Sequence, residues 1–187
     1  MRLPIRTENE KKFRELVLYI SQRCADHPTF GSVKLNKILF YADFLAFANL
    51  GKAITNFEYQ KLPNGPAPRR LVPVRKKMIE EGILGLQEVC LKSGAIQKRP
   101  VNLRSPNLSL FSGQEISLVD ELIDVFKDSR AEEVSEISHR MVGWIVAEEG
   151  ETIPYTTIFL ENPPLSDEEM QRSRELATKY GVAAAAR

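Results

Sequence analysis

Residues 34–50 constrain this chain more than any other stretch, because they read as a helix with no polar face. From Lys34 the chain runs Lys34-Leu35-Asn36-Lys37-Ile38-Leu39-Phe40-Tyr41-Ala42-Asp43-Phe44-Leu45-Ala46-Phe47-Ala48-Asn49-Leu50, with Gly51 placed to terminate it. Leu35, Ile38, Leu39, Ala42, Leu45 and Ala46 fall on one side of a 3.6-residue helix, and Phe40, Phe44 and Phe47 fall nearly opposite. A helix that is apolar most of the way round must be enclosed by other elements. This one is too short and too flanked by charge to cross a membrane. The spacing therefore predicts a central core helix over about 33–49.

Two polar residues interrupt that helix on one line. Asn36 and Asp43 are seven apart, so they lie about 20° from each other around the axis. A carboxylate in such surroundings needs a donor or a positive charge, or it takes up a proton. Either the pair is satisfied internally and fixes how neighbouring elements dock, or the strip lines a groove for a partner. His139 is the candidate donor to Asp43, and it could instead titrate near neutrality and tune an interface.

The remaining elements follow from caps and breakers. Thr7 and Glu10 have capping-box spacing, and Phe13, Leu16, Val17, Ile20 and Cys24 continue at helical intervals until Pro28. After Gly51, residues 53–62 alternate in part, and Pro63-Asn64-Gly65-Pro66-Ala67-Pro68 reads as a rigid loop without regular structure. A third helix is expected from Leu71 to Glu81, with Pro73 in its first turn and Gly82 as its stop. Residues 84–92 and 95–103 predict a hairpin around Ser93-Gly94, with Pro100 marking an edge strand, and 104–110 a loop. Ser112 with Glu115, Ser129 with Glu132, and Ser166 with Glu169 open three further helices, the second continuous to Gly150. Ile153 to Phe159 is β-prone, and residues 182–187 read as a frayed tail. The expected fold is mainly α with a small β element (α+β). It is a helical bundle around the central helix, with a short antiparallel hairpin and residues 53–62, in one domain over 1–187.

The chemistry that is missing restricts the function. The 187 residues carry a formal net charge of +1, so no global field draws the chain to nucleic acid or anionic membrane. Cys24 and Cys90 are the only cysteines, too few for a disulfide framework, and both read as structural thiols. The N-terminus has no signal-peptide apolar region, and no stretch approaches the ~18 apolar residues of a spanning helix, which predicts a cytoplasmic protein with no membrane partner. His27 and His139, the two histidines, lack the spacing of a zinc site; His27 reads as an exposed helix-end residue. No phosphate loop, dinucleotide fingerprint or nucleophile elbow occurs, so no catalytic, metal or cofactor-binding residue is nominated. An enzyme would need Asp43 and His139 together in an open cleft. Arg69, Arg70, Arg75, Lys76 and Lys77, with Lys98, Arg99 and Arg104, could track phosphates, or they could form a solvated face beside Glu80 and Glu81. No nucleic-acid-binding signature supports the former. Trp144, on the helix of His139 but five residues on and so pointing differently, reads as core or interface.

The run from Lys34 through Asn36 and Asp43 to Phe44 resembles the opening signature of the Panacea domain, the SocA-like antitoxin family. Gly51, Tyr59, the Gly65-Pro66 turn and Gly82 follow in the family's order. Glu136-Ile137-Ser138-His139 followed by Trp144 resembles its second motif, and Ile153-Pro154-Tyr155 the segment after it. The 64–68 loop is richer in proline than the family pattern. The resemblance covers about 13–180. It implies a prokaryotic or phage antitoxin without enzymatic activity or cofactor, which neutralises a protein toxin encoded by a neighbouring gene through direct contact. Two alternatives stand beside it: an adaptor delivering its partner to a protease, and a nucleic-acid-binding regulator using residues 69–77.

Overall fold

The apolar stretch folds as expected. In the computed structural model, which describes residues 7–91, 94, 96–160 and 171–172, α1 (Thr7–Arg23) precedes α2 (Ser32–Leu50). Gly51 stops α2 in the left-handed conformation, with φ of 74°, as a glycine after the last turn readily does. Leu35, Ile38, Leu39, Phe40, Ala42, Phe44 and Ala46 are all buried, so both apolar sides of α2 find partners. α2 packs against α1, α4 (Gly113–Phe126) and α5 (Ala131–His139), and its Phe40 and Phe44 rings meet Tyr59 in the segment that follows it. Phe13 of α1 stacks on Phe57 at 3.8 Å between ring centres.

The small β element is two sheets. Residues 53–62 form a strand only at β1 (Tyr59–Gln60), which sits between β2 (Ala67–Pro68) and β5 (Thr152–Ile153), antiparallel to both. The proline-rich loop was expected to lack regular structure, yet Ala67 and Pro68 pair with Gln60 and Tyr59. A proline is tolerated there because β2 is an edge strand. The hairpin is separate: β3 (Leu84–Cys90) pairs with β4 (Ile96–Asn102), Pro100 opposite Leu86. It packs on α1 and on α3 (Leu71–Glu80).

Other expectations shift. The 104–110 loop contains a short 3₁₀ turn at Leu108–Leu110. Ser112 and Glu115 cap α4 reciprocally: Glu115 N–H donates to Ser112 Oγ at 3.2 Å, and Ser112 N–H to Glu115 Oε2 at 2.8 Å. The next box is displaced by one residue, because Arg130 N–H donates to Glu133 Oε2 at 2.7 Å and α5 begins at Ala131. The helix expected to reach Gly150 breaks after His139. The extended backbone of Met141 (ψ 125°) turns the chain into α6 (Val142–Val146). The turn brings Gly143 against Ile153 and Thr157, where any Cβ would overlap both side chains. The run 153–159 is strand only at Ile153 and becomes a 3₁₀ helix over Tyr155–Phe159. Cys24 lies just past α1 and is buried, whereas Cys90 is exposed rather than packed, and both thiols are free. Of the helix expected after Ser166 only residues 171–172 are described, and both are helical; the Ser166 cap and the tail at 182–187 lie outside the described residues.

Candidate functional site

Two stretches far apart in sequence converge on residues 53–66. From α2 come Lys37 and Asp43, from the segment itself Thr55, Tyr59, Gly65 and Pro66, and from the α5–α6 corner Ser138, His139 and Trp144.

Asp43 is fully buried. Its Oδ1 accepts from Thr55 N–H at 2.6 Å, and its Oδ2 accepts from the Thr55 hydroxyl and lies 2.7 Å from the Tyr59 hydroxyl. Burial pushes the Asp43 carboxyl above the usual range, against the opposing pull of the Thr55 and Tyr59 hydrogen bonds. The Tyr59 hydroxyl also lies 2.8 Å from the Leu39 carbonyl, so its single proton faces two acceptors. A proton on Asp43 satisfies both contacts: Tyr59 then donates to Leu39 and accepts from Asp43. His139 is therefore not the donor to Asp43. The carboxyl is satisfied from the 53–59 segment, 12 and 16 residues along the chain.

Asn36 does not share this network. Its Oδ1 is buried without a partner, so the Asn36–Asp43 line is not one satisfied polar pair.

Lys37 was not singled out from the sequence, and it is 1% exposed. Its ammonium donates to the Asn64 carbonyl and, at 3.4 Å, to the Pro66 carbonyl. Burial drives it down to about 7. Between those carbonyls Gly65 has φ of 96°, and a Cβ there would overlap Lys37 Nζ and Ser138 Oγ. The Gly65-Pro66 turn thus lies flat on a buried lysine and a buried serine.

The α5–α6 break explains why His139 and Trp144 meet. On one continuous helix they would diverge; across the corner their rings stack at 4.0 Å and 16°. Trp144 Nε1–H donates to the Leu62 carbonyl at 3.2 Å, and Lys61 Nζ lies 4.4 Å from the indole centre on its way to the Ala147 carbonyl. Burial and the nearby Lys37 charge hold the His139 imidazole below its ordinary value. Lys34 is buried elsewhere on α2. It donates to Thr29 Oγ1 and, at 3.2 Å, to the Lys127 carbonyl, a cation placed on the C-terminal end of α4.

The basic residues are dispersed rather than gathered for phosphates. Arg69 donates to the Gly150 carbonyl at 2.7 Å and to Thr152 Oγ1, and lies 3.8 Å from Glu58. Arg70 and Lys77 both face Glu10, Lys76 pairs with Glu80, and Lys98 with Glu88. Arg99 donates to the Ala25 and His27 carbonyls, and Arg104 grips Glu15 with both nitrogens. Arg75 alone of this set, among the described residues, has neither carboxylate nor carbonyl and reaches only Ser32 Oγ at 3.2 Å.

Among the described residues no group of three His, Cys, Asp or Glu could hold a metal ion, and no helix is long and apolar enough to cross a membrane. The catalytic alternative required Asp43 and His139 in one open cleft; the enclosure of Asp43 by Thr55 and Tyr59 is a different arrangement.

The model of the family described as "Antitoxin SocA-like, Panacea domain" matches residues 35–145, more than half of the chain. The chain belongs to the SocA-like antitoxin family. No curated protein and no solved structure matches it. The matched span of this Panacea domain runs from Leu35 to Ile145, and so takes in Lys37, Asp43, Tyr59, Gly65, Pro66, Ser138, His139 and Trp144. The sequence could have pointed to Lys34 and Lys37 without a family, because two lysines on a helix with no polar face must find buried acceptors.

Proposed function

We propose that this protein is an antitoxin that neutralises a partner toxin by direct protein–protein contact, without catalysis. The observation that carries the reading is the family match over residues 35–145, joined to what the signature residues do in this chain. Lys37, Asp43, Tyr59, Gly65, His139 and Trp144 are spent on one another and on the backbone of residues 53–66. They hold a rigid scaffold, and the surface that meets the toxin lies outside them. Any enzyme reading has to account for an Asp43 that is fully buried and a Lys37 that is 1% exposed.

The test is co-expression with the product of the adjacent gene. Growth arrest by that product should be relieved and the two proteins should copurify in a stable ratio. Neither association nor relief would sink the pairing. The lifetime of the partner separates sequestration from delivery to a protease: an unchanged lifetime supports occlusion, and a lifetime lengthened by deleting this chain supports an adaptor.

A further inference from the structure

We propose that the outer face of α3, with Leu86 of β3, is the docking surface for the toxin, and that it takes a segment presenting an apolar side chain beside a carboxylate. The inference rests on the antitoxin reading and adds to it where the partner sits and what chemistry it brings.

α3 is apolar on two sides. Leu71, Val74 and Met78 are buried, whereas Val72 and Ile79, seven apart and so on one line, are 67% and 39% exposed. Leu86 adds a third exposed apolar side chain beside them, and the three form an open groove of about 350 Å³. Its polar lining is Arg75, Lys76 and Glu80. Lys76 and Glu80 pair across one turn at 3.7 Å. Arg75 is left over. It is half-buried, its pKa is lowered by burial, and Ser32 Oγ is its only side-chain partner among the described residues.

A guanidinium withdrawn from water without a counter-ion is costly, and a carboxylate brought by a partner offsets that cost. An apolar groove of this kind also favours a partner with an apolar anchor. The two features adjoin, which selects an acidic, apolar-anchored protein segment over a nucleic acid. Phosphates would gain little from Val72, Ile79 and Leu86, and the other nearby cations are already paired.

The experiment uses the full chain and the product of the adjacent gene. Val72→Asp and Arg75→Glu should each weaken copurification and growth rescue about tenfold or more, as loss of an interface centre does. Val125→Asp, at an equally exposed site on α4, should leave both unchanged. Val72 is exposed enough that Val72→Asp should melt like the wild type, so the test survives if Arg75→Glu fails to fold. A photo-crosslinker at position 72 should label a partner peptide carrying Asp or Glu, and replacing that acid by Arg should restore binding to Arg75→Glu. Wild-type binding that both variants retain would overturn the docking surface and leave the antitoxin reading standing. So would a crosslink within the chain, to a second copy, or to nucleic acid. Failure of the wild type to bind or rescue would overturn the antitoxin reading and this inference with it.

Discussion

At the scale of single residues, the signature positions answer backbone problems. Gly65 is required twice over, by its φ of 96° and by the Lys37 and Ser138 atoms that occupy the place of a Cβ. Gly65→Ala should therefore cost more than the about 1–3 kcal/mol of left-handed strain alone, read as a lowered urea midpoint at unchanged slope. Asp43 poses the reverse problem, a buried acid whose value lies in what it accepts. Asp43→Ala strands the Thr55 N–H and should destabilise by about 1–3 kcal/mol, whereas Asp43→Asn keeps an acceptor and should cost less. An equal loss in both variants would mean that the second oxygen, which the amide replaces by a donor facing the Thr55 hydroxyl, is needed as well. The polar line of Asn36 and Asp43 was visible in sequence, but its partners were not. Helical phase places two side chains on one side of an axis; it says nothing about which distant segment folds over them.

At the scale of elements, periodicity was reliable wherever one local pattern decided the outcome. The enclosed α2, its Gly51 stop, the hairpin and the Ser112–Glu115 box all follow from residues within a turn or two of each other. Ser112→Ala should remove one side of that box and cost about 1 kcal/mol, measurable by thermal or urea unfolding. Elements decided by tertiary contact were less legible. The α5–α6 break sits in sequence that reads as helical throughout, and its close approach of Gly143 to Ile153 and Thr157 is a contact between segments distant from each other in sequence. That break also produces the His139–Trp144 stack, which five-residue spacing on a single helix could not suggest. Likewise Ala67 and Pro68 become a strand only because Tyr59 and Gln60 offer them an edge. The outer stripe of Val72 and Ile79 was readable as a period, yet only the packed structure shows that one side of α3 stays open.

At the scale of the whole molecule, the buried lysine couples stability to pH. Lys37 in the folded chain titrates at about 7, against an ordinary 10.5, because burial penalises its charge. Between these values the unfolded chain binds the proton that the folded chain gives up, so raising the pH favours folding; below about 7 both states hold the proton and Lys37 contributes no slope. His139, also depressed, adds a rise on the acid side that ends near its ordinary 6.5. Other buried groups oppose the trend at higher pH. Burial raises the Cys24 thiol from 9.0 to about 12 and Tyr41 from 10.0 to about 12, so Cys24 offsets the Lys37 rise above about pH 9, and with Tyr41 added stability falls above about pH 10. Stability should therefore climb from pH 7 to about 9 and level off until about pH 10, Lys37 contributing at most about 1.4 kcal/mol per pH unit. Lys37→Met keeps the length and the burial but removes the titration. Its melting temperature should be flat from pH 7 to 9 and fall from about pH 9, earlier than the wild type, because Cys24 is no longer offset. A wild-type rise that survives in Lys37→Met would assign the effect to another group, and the lysine would then keep its proton when folded, a charged hydrogen-bonding peg for Asn64 and Pro66 across the whole range.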